Sequence, residues 1–232
     1  MMKALLLTVA ALSSLLAFAG DPSAKLEPLD RELMRPPPFP KKWETNLTAL
    51  TATAEKGNAG AQFDLGAHYI FAVGTTQNLV KAFHWLTNSA SQGYPPAQYT
   101  LGKLYKHGVG VVSNQALADA WFQLGVQQNY VPSKHEAALT ADRKGKRSEA
   151  LKLLREAAEK GFPSSQYLMG CVTTNLVESY VWQSLAAEGG LENAGTKALE
   201  LRQQLTKEQL SEADERIRKF KEQHLSEPTR TP

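Results

Sequence analysis

Cysteine is almost missing from this chain: Cys171 stands alone among 232 residues. One thiol cannot close an intramolecular bridge, so no disulfide framework is available and packing alone must hold the fold. Blocks of like charge are missing too. The 26 Lys and Arg residues are interleaved with 23 Asp and Glu, which excludes the basic footprint of a nucleic-acid-binding domain. The motifs of common hydrolases are equally scarce. No serine has a lysine three residues on, which removes the Ser-x-x-Lys nucleophile. His135-Glu136 opens like a zinc-protease helix, but Leu139 occupies the place of the second histidine. His68, His84, His107 and His224 each stand apart and read as surface or half-buried side chains rather than ligands. Cys171 has no charge partner in sequence and reads first as a small packing residue, with a reactive thiol as the alternative. No catalytic residue, cofactor or metal site is therefore expected.

What is present begins with a leader. Lys3 precedes an apolar run from Ala4 to Leu12, broken by Thr8, then Leu15 to Ala19 ending in Ala17-Phe18-Ala19. That pattern is a secretory signal peptide over 1–19, cut between Ala19 and Gly20, and it implies a secreted or periplasmic protein with no membrane span once it is removed. An uncleaved anchor is the competing reading, disfavoured because the run is shorter than the ~20 residues needed to span a bilayer. Without Lys3 the balance is 25 basic to 23 acidic, or 25 − 23 = +2. No cysteine follows the cut, so a lipid-modified N-terminus is unsupported. Residues 20–42 carry Pro22, Pro28, Pro36, Pro37, Pro38 and Pro40 among charges, and read as an extended linker. Asn46-Leu47-Thr48 fits a glycosylation acceptor, relevant only in a eukaryotic secretory route.

The centre of the chain is one sequence written twice. Shifting Ala61–Pro132 against itself by 36 residues (97 − 61) aligns thirteen identities without a gap, among them Gln62/Gln98, Gly66/Gly102, Tyr69/Tyr105, Asn78/Asn114, Trp85/Trp121 and Tyr94/Tyr130. Chance gives about two or three. A period of this size means stacked supersecondary units.

Each unit reads as helix A, a glycine-bearing loop, helix B and a turn. Gln62, Leu65, Gly66 and Tyr69 fall in one arc at 100° per residue, and the glycine permits close approach of another helix. Asn78 and Asn114 stand where a side-chain oxygen caps helix B, which stops at Gly93 or Asn129. The register gives an all-α array over 43–224: a half-repeat 43–59, repeats 60–96, 97–132, 133–163 and 164–190, and C-terminal capping helices 191–224, followed by a tail 225–232. The third unit is shorter in its loop and opens on Ser133-Lys134-His135-Glu136, which has the form of a capping box. The fourth passes through Thr173-Thr174 to a cap at Asn175, and a second capping box, Thr206-Lys207-Glu208-Gln209, precedes a charge-rich terminal helix.

This grammar resembles the Sel-one-like repeat (SLR) family, relatives of the tetratricopeptide repeats. The residues that carry the likeness are Ala97-Gln98-Tyr99-Thr100-Leu101-Gly102-Lys103-Leu104-Tyr105, the loop Gly108-Val109-Gly110, Asn114, and Ala118 with Trp121. The likeness is strong in units one, two and four and weak in unit three, where Ala137, Ala138 and Ala141 replace leucine, glycine and tyrosine. It implies a right-handed α/α superhelix, a solenoid of antiparallel helix pairs whose A helices line a concave face, acting as an adaptor for other proteins without catalysis. A cysteine-rich branch of the family is linked to β-lactam binding; this chain lacks those cysteines.

On that reading, residues rotated by roughly 135° from the packing arc face the groove. They are Phe63, Ala67, Ile70 and Phe71, then Tyr99, Lys103, Lys106 and His107, then His135, Leu139, Asp142 and Arg143, then Tyr167 and Cys171. The expected partner-binding set is Phe63, Phe71, Tyr99, Lys103, Lys106, His107, His135, Arg143 and Tyr167, a column of rings with cationic heads beside it. Such a surface suits a protein or peptide partner, offering apolar anchors and charge complementarity. The function expected is a protein-interaction scaffold of the bacterial cell envelope, with a monomer favoured. The alternatives are a cell-wall-related or β-lactam-binding enzyme, and a structural spacer in which the rings merely fill their own floor.

Overall fold

The computed structural model describes residues 46–225. The signal peptide, the proline-rich linker, the start of the half-repeat at Trp43 and the tail lie outside the described residues. Those described form eleven α-helices and no strand, in two compact units, one ending at Tyr130 and the other beginning at Val131.

The first unit holds α1 (Leu47–Glu55), α2 (Ala59–Phe71), α3 (Leu79–Ser91), α4 (Pro95–His107) and α5 (Gln115–Gln127). Consecutive helices pack on one another, α1 on α2, α2 on α3, α3 on α4 and α4 on α5. The expected caps are formed. Asn78 Oδ1 accepts from the Lys81 N–H at 2.9 Å and Asn114 Oδ1 from the Leu117 N–H at 3.0 Å. Helix B of each pair is left through a residue of positive φ, Gly93 at 86° and Asn129 at 58°. The loops between α2 and α3 and between α4 and α5 are tied alike, with Asn78 N–H on Tyr69 O at 2.9 Å and Asn114 N–H on Tyr105 O at 2.8 Å.

Packing explains the helix-A glycines. A Cβ on Gly66 would lie 2.8 Å from Leu86 Cγ, and one on Gly102 would lie 2.7 Å from Phe122 Cδ1. Leu65, Ile70, Leu86, Leu101 and Phe122 have almost no exposed surface. Ala67 and Ile70, which the helical wheel assigned to the groove, are instead buried, at 3% and 0% exposure. The reason is that α2 is packed by α1 as well as α3, so its apolar arc is wider than one stripe.

Glutamines join each pair to the helix before it. Gln62 Nε2 donates to Ala54 O at 3.1 Å and Gln98 Nε2 to Ala90 O at 3.3 Å, which engages carbonyls in the last turns of α1 and α3. Each glutamine oxygen then accepts from the repeat's own helix-B end, Gln62 Oε1 from Gln92 Nε2 at 2.7 Å and Gln98 Oε1 from Gln128 Nε2 at 2.9 Å.

The second unit holds α6 (Val131–Arg143), α7 (Arg147–Glu159), α8 (Pro163–Val172), α9 (Leu176–Glu188), α10 (Glu192–Arg202) and α11 (Lys207–Leu225). Here the chain departs from the expected start of α6. Ser133 lies inside that helix with no exposed surface, so it is not an N-cap. Pro132 explains the shift, since proline is tolerated in the first turn, where its missing N–H costs nothing. The second capping box does form: Thr206 N–H donates to Gln209 Oε1 at 2.9 Å and Gln209 N–H to Thr206 Oγ1 at 3.2 Å. The glutamine contact recurs as Gln166 Nε2 on Ala158 O at 3.2 Å, while in α6 Lys134 bridges to Glu156 at 2.7 Å. Helix α11 buries Ala213 and Ile217 in the core built on α8 and α9, and Lys221 reaches Glu188 at 3.1 Å.

Candidate functional site

The rings singled out in sequence are each held by a second ring. Phe63 of α2 lies 5.6 Å from Tyr94, centroid to centroid, at 56°, and Tyr99 of α4 lies 6.0 Å from Tyr130 at 64°. In the second unit His135 of α6 lies 5.2 Å from Phe162 at 54°. The geometry is one motif used three times: a ring in the second turn of helix A meets the ring at the turn just before the next helix A. All six rings are half-buried. Tilted pairs at these distances add roughly 0.5–1.5 kcal/mol beyond area burial.

Burial sets the chemistry of the tyrosine pair. The Tyr130 hydroxyl is pushed up to about 12, first by burial and then by Tyr94 nearby. Tyr94 is raised as well, by burial and then by Asp64. Both phenols are therefore neutral near pH 7, and offer a hydroxyl and an aromatic face rather than a charge.

The other expected residues fall around these pairs. Phe71, Lys103, Lys106 and His107 are half-buried in the first unit, Phe71 packing against the core cluster that holds Ile70 and Leu101. In the second unit Arg143 is exposed, with Nη2 3.3 Å from Thr140 Oγ1, and Tyr167 is half-buried, its carbonyl accepting from Gln183 Nε2 at 3.2 Å. Leu139 and Asp142 are exposed, Asp142 paired with Arg147 at 2.6 Å. The set thus divides between the units, six residues in the first and three in the second.

Two expectations are corrected here. His68 is buried, at 2% exposure, because its Nδ1 lies 2.7 Å from Val73 O and ties the α2–α3 loop back onto its helix. Cys171 is exposed rather than a packing residue, since α8 is only 10 residues long and Cys171 sits in its last turn. Sequence reasoning missed Tyr94, Tyr130 and Phe162 as site residues. The signal was available in the Tyr94/Tyr130 identity, but these residues precede a helix, where a helical wheel assigns no face.

One pair has catalytic spacing. Ser165 Oγ lies 2.8 Å from His135 Nδ1, the separation of a nucleophile and its base. Ser165 has no exposed surface, however, so the hydroxyl meets no substrate and the contact joins α6 to α8. Among the described residues no three His, Cys, Asp or Glu side chains converge as metal ligands, and no helix is long and apolar enough to cross a membrane.

Comparison with known proteins finds the same repeat elsewhere. A family model described as the Sel1 repeat matches residues 59–94, 95–130 and 143–162. No curated protein matches the chain. Among solved structures, a protective antigen of uropathogenic Escherichia coli displaying an SLR fold is 33% identical over 65% of this chain, with a TM-score of 0.59. This chain spans 34% of that antigen. A Sel1 repeat protein of Oxalobacter formigenes is 19% identical, covers 75% of this chain and 78% of its own, and gives a TM-score of 0.62, a likeness of fold alone. The fourth pair, expected to resemble the family strongly, lies outside the matched residues. Its connection is only Thr173–Asn175, without the loop glycines that mark the first two pairs. The helix pairs, the recurring glutamine and glycine contacts and the three matched blocks agree: this chain carries Sel1-like repeats.

Proposed function

We propose that the protein is a non-catalytic scaffold of the bacterial cell envelope that holds a partner protein or peptide on the helix-A ring pairs of its repeats. Sel1-repeat folds are commonly protein-interaction scaffolds. The observation that supports the reading here is the repetition of a ring pair at one structural position, Phe63 with Tyr94 and Tyr99 with Tyr130 in the first unit, and His135 with Phe162 in the second. Half-buried aromatic rings give a partner apolar anchors of low conformational-entropy cost. Lys103 and Lys106 on α4 add positive heads in the first unit, and Arg143 on α6 adds one in the second, which favours partner segments combining acidic and apolar residues.

The test is affinity co-purification from an envelope fraction, comparing the wild type with Phe63→Ala/Tyr99→Ala. Partner capture is expected to fall at least ten-fold, as two interface anchors worth more than about 1 kcal/mol each would require. Circular dichroism checks that the variant keeps its helices. Full capture by a folded variant would remove the ring pairs from the reading.

A further inference from the structure

One core position of the fourth helix pair, α8 and α9, holds a side chain of the wrong kind. The residue that lies on the helix-A glycine is Leu86 over Gly66 and Phe122 over Gly102, but Gln183 over Gly170. Gln183 has no exposed surface. Its Nε2 donates to Tyr167 O at 3.2 Å and reaches Cys171 Sγ at 3.5 Å, while its Oε1 is buried without a hydrogen-bond partner among the described residues. An apolar residue at this position would leave no buried acceptor unsatisfied, as its counterparts in the first unit do not.

The anomaly points at the thiol. Cys171 is exposed in the last turn of α8, so a small oxidant reaches it, and the amide head of Gln183 is in contact with its sulfur from the protein side. A thiol is a poor match for that amide, offering one weak donor and one weak acceptor. A sulfenic acid is a good match: its oxygen accepts from the amide N–H, and its O–H donates to the unsatisfied Oε1. We propose that Cys171 is a site of reversible oxidation by hydrogen peroxide, with Gln183 holding the sulfenic acid.

The step is balanced. A sulfur lone pair attacks one peroxide oxygen, the O–O bond breaks as the S–O bond forms, and the departing hydroxide takes the thiol proton and leaves as water. Sulfur loses two electrons to peroxide. The chain has no second cysteine to close a disulfide, so the sulfenic acid persists until a small external thiol displaces water from it and forms a mixed disulfide. Cys171 follows Tyr167 by one turn on the same helix, so the modification would sit beside an expected partner-binding residue. The oxidation site itself does not depend on any partner.

Full-length protein treated with hydrogen peroxide in the presence of dimedone, a carbon nucleophile that traps sulfenic acids, is read by intact mass. One adduct per chain is expected in the wild type and none in Cys171→Ser. Gln183→Leu, which restores the residue type found at Leu86, and Gln183→Met should each trap roughly five-fold less, the factor carried by a hydrogen bond of ordinary strength. Iodoacetamide labelling of Cys171 should be unchanged in both, showing that the thiol remains accessible. A wild type that yields no adduct, or a Gln183 variant that traps as much as the wild type, would overturn the proposal.

Discussion

At Gly102 the missing Cβ is what lets the Phe122 ring lie against α4, with Cδ1 only 2.7 Å from where that carbon would be. A methyl there must displace a ring that is 1% exposed, and overpacking of this kind costs about 1–3 kcal/mol, more than the helix propensity alanine gains. Gly102→Ala is therefore expected to lower the urea midpoint. Gly60→Ala, whose nearest neighbours would be 3.4 and 3.9 Å away, should leave the midpoint unchanged or slightly raised. Equal losses at both sites would show that helix packing is not what selects glycine. A second residue-scale prediction concerns acid. Burial pushes the Glu178 carboxyl up, but bonds from Trp182 Nε1, Thr173 Oγ1 and Arg155 outweigh it and hold the group below its ordinary 4.5. A depressed carboxyl binds fewer protons in the folded state. Its stabilisation is thus full above about pH 4.5 and is lost as pH falls through the lowered folded value. Melting curves of Glu178→Gln should be less stable than wild type at pH 7 and converge on it in acid; parallel curves at all pH values would contradict the assignment.

Helix ends were the most readable elements, because capping chemistry is local. Asn78, Asn114 and Asn175 were identified from the polar residue that precedes each apolar pattern, and each side chain does accept from the N–H three residues on. Asn114→Ala should cost about 1 kcal/mol by denaturant unfolding, whereas Gln123→Ala, a change at an exposed position within α5, should stay within about 0.5 kcal/mol. The Ser133 capping box failed for an equally local reason: Pro132 starts the helix earlier, and a four-residue pattern cannot reveal which of two competing starts prevails. His68 failed for a different one. Its burial depends on the carbonyl of Val73, across a loop whose path the pattern of apolar residues does not describe. The ring pairs were half legible. Phe63, Tyr99 and His135 sit on helices, where angular arithmetic works, but their partners Tyr94, Tyr130 and Phe162 sit at turns, where it does not.

For the whole molecule, the 36-residue period alone carries the all-α helix-pair fold. Self-similarity is a statement about contacts: a residue that recurs at a fixed period recurs because its neighbours do. The third pair was harder to read for the same reason, since alanines replace the signature residues of α6 and Lys134 stands where glutamine does in α2, α4 and α8. The leader remains a sequence expectation, with a direct check. Protein recovered from the envelope or medium of an expressing bacterium should begin at Gly20 by N-terminal sequencing and lack the mass of residues 1–19; recovery only from the cytosol with Met1 intact would refute it.

The backward reach of Gln62, Gln98 and Gln166 to the carbonyl eight positions earlier carries a consequence for how such a chain can change length. Every clasp closes between immediate neighbours, so none needs to know how many modules stand upstream or downstream. Excising or duplicating one full period between positions 59 and 130 would leave each remaining clasp with a mate of the correct kind. Genes encoding this architecture can thus gain or lose modules by unequal recombination without inventing a new joint.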